Sequence, residues 1–221
     1  TATVEAGGRI IPGSWDDLSP FLLGNLANVT DSLSFATVAV ADTHRVGFNT
    51  TTAPLSDSGI IWVTFPSGFD ITAIDSAIYS DNDLDNDGNE PVIRSIVIAD
   101  QTVQFQLNQG AQPAVASSRI SVKSWLITND TVAQNYAVVV MTTDSTGNID
   151  NGPSVSEEFF LNPGPLDHIT IMPDTPLDVP ADSVINFDVS GNDQYENEID
   201  GLIFTYNVTV DSCGDVIDGV F

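Results

Sequence analysis

The chain has 221 residues, 42% of them hydrophobic, and carries 31 acidic against 5 basic side chains, a formal net charge of −26. Lys123 and four arginines offer little to neutralise phosphates, which argues against nucleic acid or an anionic membrane surface as partner, and the apolar content argues against a disordered acidic tail. Aspartate outnumbers glutamate by 25 to 6, a bias toward turns and oxygen-ligand loops that suits a saline or calcium-containing medium outside the cell.

Residues 1–12 open on Thr1-Ala2-Thr3-Val4-Glu5-Ala6, which alternates as a strand does and breaks at Gly7-Gly8. The following stretch, 14–27, predicts a short helix capped by Ser14 or Asp16 and carrying Phe21, Leu22, Leu23 and Leu26. From there period-2 alternation dominates. Strands are expected at 33–41, 45–52, 60–65, 92–99, 103–107, 120–127, 136–143 and 155–161, each bounded by Gly, Pro, Asn or Asp. Several short strands at this spacing read as a β-sandwich over 13–162.

Asn162-Pro163-Gly164-Pro165 marks a stiff joint. Beyond it, strands are expected at 166–172, 183–189, 202–210 and 216–221. An immunoglobulin-like sandwich needs about seven strands, so the unit 163–221 reads as incomplete. Its core would include Phe187, Ile203, Phe204, Tyr206, Val220 and Phe221. No run of about 18 apolar residues offers a membrane span, and the single Cys213 cannot form an internal disulfide.

The densest chemical signal is Asp81-Asn82-Asp83-Leu84-Asp85-Asn86-Asp87-Gly88-Asn89-Glu90. Acids at alternate positions before a glycine have the spacing of Ca²⁺ ligands, so Asp81, Asp83, Asp85, Asp87 and Glu90 are the expected metal set. An EF-hand would place a glutamate where Arg94 stands, so this is a different, calcium-stapled loop or a solvated hairpin. Asp144–Asp150 and Asp193–Asp200 are weaker acidic loops that read first as turns. Asn-x-Ser/Thr sites at Asn28, Asn49, Asn129 and Asn207 permit glycosylation without arguing for it.

Catalysis finds little footing. His44 and His168 sit in strand-like contexts, and no nucleophile elbow, His-Glu-x-x-His helix or phosphate loop is present. Trp15, Trp62 and Trp125 are read as core packing, with sugar stacking as the alternative.

The segments Leu166–Ile171, Ser183–Phe187 and Gly191-Asn192-Asp193-Gln194-Tyr195-Glu196-Asn197-Glu198-Ile199 resemble the bacterial immunoglobulin-like repeats of invasin- and intimin-type surface proteins. Glu196 stands where those repeats carry a small glycine. Such repeats continue through a Gly-x-Ile-x-x-Gly-x-Phe stretch similar to Gly214–Phe221, and end in a Gly-Thr-Ala-Thr-Val strand similar to Thr1–Val4. Phe48-Asn49-Thr50-Thr51 and Thr64-Phe65-Pro66-Ser67-Gly68-Phe69 loosely resemble cell-envelope β-sandwich modules. These readings together give an all-β, non-enzymatic, extracellular or cell-surface subunit of a filament or surface layer. Residues Thr1, Ala2, Thr3, Val4, Glu5 and Ala6 of one copy would complete the open unit of the next beside Val220 and Phe221, by strand addition. The homopolymer would be stiffened by Ca²⁺. The alternative is an adhesin or glycan-binding segment of a tandem-repeat surface protein.

Overall fold

A computed structural model describes residues 24–51, 55–56, 58–81, 92–108, 119–174 and 185–205. The fold is all-β, with no helix among the described residues. One antiparallel sheet has four strands: β1 (Leu26–Leu33), β2 (Ala41–Thr50), β7 (Arg119–Thr128) and β4 (Ala77–Asp81), in the order β1-β2-β7-β4. A second has five: β10 (Ile149–Val155), β9 (Val139–Thr143), β3 (Ile60–Thr64), β6 (Thr102–Leu107) and β5 (Ile93–Ala99), in the order β10-β9-β3-β6-β5. A short pair joins β8 (Asn135–Tyr136) to β11 (Phe159–Phe160). Beyond the proline joint, β12 (His168–Met172) and β13 (Asp188–Asn192) form a two-stranded ribbon.

Alternation along the strands builds the core. Val46 and Phe48 of β2 and Ile120 and Val122 of β7 point inward from the four-stranded sheet; Ile61, Val63, Val103, Phe105, Leu107 and Val140 point inward from the five-stranded one. All are at most 2% exposed. At roughly 25 cal/mol per Å² of apolar surface, this shared layer is the main stabilising term of the sandwich. Tyr136 adds a corner pin, its hydroxyl donating to the Val132 carbonyl at 2.9 Å.

Three expectations need correction. The strand expected at 33–41 is a loop over 34–40, because polar side chains capture its backbone. Phe35 N donates to Asp42 Oδ2 at 2.9 Å, and the Asn129 amide donates to the carbonyls of Phe35 and Thr37. The helix expected at 14–27 does not hold at its described end, where Gly24 bridges Asn151 and Leu26 enters β1 as a buried residue. Its remainder, 14–23, lies outside the described residues. Finally, β4 emerges where no strand was expected, with Tyr79 turned into the core.

The turn after β3 depends on Gly68. Its φ is +105°, and a Cβ there would collide with the Asp130 carboxylate. Replacing Gly68 by Ala is expected to destabilise the sandwich by more than about 1 kcal/mol, since neither the dihedral nor the space suits a side chain. A shift of the urea midpoint at constant slope is the measurement.

Candidate functional site

The centre of the sandwich holds a polar chain that the apolar pattern does not announce. Buried His44 of β2 places Nδ1 2.7 Å from Asp31 Oδ2 of β1 and Nε2 3.0 Å from Asn129 Oδ1, just past β7. Because the Asn129 nitrogen already donates to two backbone carbonyls, at 3.0 and 2.9 Å, its oxygen must face the ring. Nε2 therefore carries a hydrogen, and the short Nδ1 contact needs a second proton in the bridge to Asp31. Phe65, Phe69 and Phe159 meet the imidazole edge-on at 5.5 to 6.2 Å. Burial pulls the imidazole pKa down, but the Asp31 hydrogen bond and charge, the Asn129 acceptor and the charge of Asp42 prevail, leaving it raised above 6.5. Asp31 Oδ1 has no partner among the described atoms. A ring walled by phenylalanines with its two nitrogens committed is a structural element.

The two acidic loops are closed turns. In the first, Asp144 Oδ1 accepts from the backbone of Thr146 and Asn148 and from the Thr146 hydroxyl, while Oδ2 accepts from the Asn148 amide. The Asn148 and Thr146 donors hold its carboxyl well below the usual carboxylate range. In the second, burial pushes the Asp193 pKa up, yet donors from Asn197, Gly164 and Tyr195 prevail and hold it low. Asp193 ties the joint to the ribbon, accepting from Gly164 N at 2.7 Å. Asn197 continues the tie, donating to the Thr131 carbonyl at 2.7 Å and accepting from Ala133 N at 2.8 Å. Glu196, where a glycine would be usual, takes φ = 66° in this turn. Around the joint lies a cleft of about 690 Å³, lined by Phe160, Asn162, Glu196, Glu198 and Asp200 among others.

Of the expected metal set, Asp81 ends β4, pairing with Ile120 of β7; Asp83, Asp85, Asp87 and Glu90 lie outside the described residues. Among the described residues, no group of three or more His, Cys, Asp and Glu is arranged to hold a metal. The expected interface residues, Thr1 to Ala6 with Val220 and Phe221, also lie outside them, as does Asn207. Asn28 is exposed, and Asn49 accepts from Arg119. Asn129 is 2% exposed with its amide nitrogen fully used, so a glycan has no attachment point there. The expectation of core packing for Trp62 and Trp125 is also corrected. Both are half-buried on outer sheet faces, Trp62 donating to Thr143 Oγ1 at 3.0 Å and Trp125 lying beneath Lys123. Trp15 lies outside the described residues.

No family model matches the chain, and no curated protein does. Among solved structures, the chain is similar to the bacterial hydrophobin BslA at 14% identity, covering 65% of this chain and 98% of that one, with a TM-score of 0.41. It is also similar to a chain of the CaDoc0917–CaCohA2 complex at 11% identity, over 61% and 99% of the two chains, with a TM-score of 0.37. A non-cellulosomal cohesin from the hyperthermophilic archaeon Archaeoglobus fulgidus is matched at 11% identity over 61% and 91%, with a TM-score of 0.32. At such scores the description of the fold rests on the strand order above.

The His44 network gives stability a pH dependence of definite sign. A folded pKa above the unfolded value of 6.5 means that the contribution is complete below about pH 6.5 and is lost as pH rises through the raised folded value. The parent's advantage over a His44→Gln variant in chemical-denaturation stability should therefore shrink across that window. A difference independent of pH would contradict the assignment of the bridging proton.

Proposed function

We propose that the chain is a structural, non-catalytic module of an extracellular assembly, in which the ribbon unit is completed by a strand from a neighbouring subunit. The observation that carries this reading is the uncovered apolar side of the ribbon. Ile169 and Ile171 lie on one face, opposite Gly191 and Val189, and each is 50% exposed. Gly191 is bare enough for Leu166 and Leu202 to rest on it; a Cβ there would collide with both. Met172 is 51% exposed and Ile203 95%. Among the described residues, this is the start of a core with one wall. A two-stranded ribbon alone is marginal in water; strand addition would satisfy a backbone edge left open among the described residues and bury Ile169 and Ile171 together.

The reading includes calcium at the loop that follows β4, on the spacing of its acids. Ten residues holding Asp81, Asp83, Asp85, Asp87 and Glu90 repel one another without a cation. The glycan-binding alternative draws on the placement of Trp62 and Trp125 outside the core. Their engagement with Thr143 and Lys123 favours the assembly reading.

Two measurements test it. Electron microscopy and sedimentation of the full chain should show head-to-tail oligomers that are markedly weakened when residues 1–8 are deleted; unchanged oligomers, or monomers throughout, would sink the strand-exchange reading. Chelation of Ca²⁺ should lower the melting temperature of the parent. It should leave unmoved that of an Asp83→Asn/Asp85→Asn variant, because binding to the folded state alone raises apparent stability.

A further inference from the structure

The cations of this acidic chain are not scattered. Of five in the sequence, Arg45, Arg119 and Lys123 stand on the outer face of the four-stranded sheet, where alternation turns them away from Val46, Ile120 and Val122. Arg119 is anchored flat over Gly47, donating to Asn28 O at 2.6 Å and Thr30 Oγ1 at 3.0 Å. Arg45 and Lys123 are direct cross-strand partners, with Ile78 of β4 on the far side of Lys123. Like charges placed opposite one another destabilise a sheet. Yet the ion pairs found among the described residues are all histidine pairs, so neither cation has a carboxylate partner among them. The outward strand positions at 30 and 32, 43 to 49, 78 and 80, and 119 to 125 include no acid.

This face has the composition of a protein-binding surface. Lys123 Nζ lies 5.1 Å from the Trp125 ring centroid, and Ile78 and Leu126 flank the cations at 56% and 46% exposure. Arginine and tryptophan beside exposed aliphatic groups, with no acid at the described outward strand positions, are what interface centres favour. The complementary surface is present on the same chain. The cleft at the proline joint exposes Glu196, Glu198 and Asp200 next to Phe160, which is 49% exposed and offers its ring to an incoming cation.

We infer that the Arg45–Lys123 face of one copy docks into the acidic cleft at the joint of a second copy. This rests on the assembly reading but uses a different surface from strand addition. The contact joins two unlike patches, so it propagates in one direction, as a head-to-tail filament requires. It also carries its own salt signature. Copies with a charge of −26 repel at long range until salt shortens the Debye length to about 8 Å near physiological strength. Contact pairs at a few ångströms persist at that strength and are screened only in stronger salt. Association therefore peaks at intermediate ionic strength and falls on either side.

The test is sedimentation velocity from low to molar NaCl on four full-length chains: the parent, Arg45→Glu/Lys123→Glu, Glu198→Lys/Asp200→Lys, and all four changes combined. Each is also prepared without residues 1–8, and circular dichroism checks that each folds. Each pair of reversals should weaken association at least tenfold, the combined chain should recover it, and both effects should persist without residues 1–8. If deletion of 1–8 abolishes association while the reversals do nothing, strand exchange stands and this contact falls. Failure of the combined chain to recover removes the cleft as counterpart. Monomers at every salt concentration, with Arg45- and Lys123-dependent retention on immobilised sulfated polysaccharide, would overturn the second copy in favour of a glycan.

Discussion

The sandwich is organised around one buried constraint: the imidazole of His44 must find partners for both nitrogens inside an apolar layer. Asp31 answers from β1 and Asn129 from the end of β7, so three neighbouring segments are locked in register by side chains as well as by their ladders. Asn129 passes the constraint on through its amide, which ties down the loop 34–40. The cluster Phe65, Phe69, Tyr136 and Phe159 then closes over the ring. A buried polar network of this kind costs desolvation and returns specificity of arrangement when its members find partners. Asp31 Oδ1 is the loose end of this network; among the described residues the other buried side-chain oxygen without a partner is Asn151 Oδ1.

Much of this architecture was legible in the sequence, and the reason is alternation. Val103, Phe105 and Leu107 announced β6, and Ile120 with Val122 announced β7, because one face of each strand is buried and the other is not. Elsewhere long-range partners override local pattern. Residues 34–40 look like a strand, but Asp42 and Asn129 take their backbone groups. Leu26 fits a helix face as well as a strand face, and its burial against the sheet decides.

The central network itself was hidden. Nothing local marks Asn129 as a core residue; its Asn-Asp-Thr context read as a glycan acceptor. Asp31, thirteen positions before His44, meets it only once β1 and β2 have paired. The clustering of cations on one sheet face was likewise invisible until the register set Arg45 against Lys123. The acid loops were the reverse case, since a string of aspartates is conspicuous in a sequence. In Asp144 and Asp193 it proves to be the wiring of turns, each carboxylate already supplied with donors by its own neighbours.

The knot at Asp193 has a mechanical consequence. It grips Gly164 at the joint, and its partner Asn197 grips the 131–133 segment of the sandwich. Tension applied through the far end of the ribbon unit therefore reaches the sandwich along two routes, the covalent one through Pro163 and Pro165 and a hydrogen-bonded one through Asn197. Such a hinge resists bending under small loads and yields when the weaker, hydrogen-bonded route ruptures, leaving the covalent one to carry the load alone.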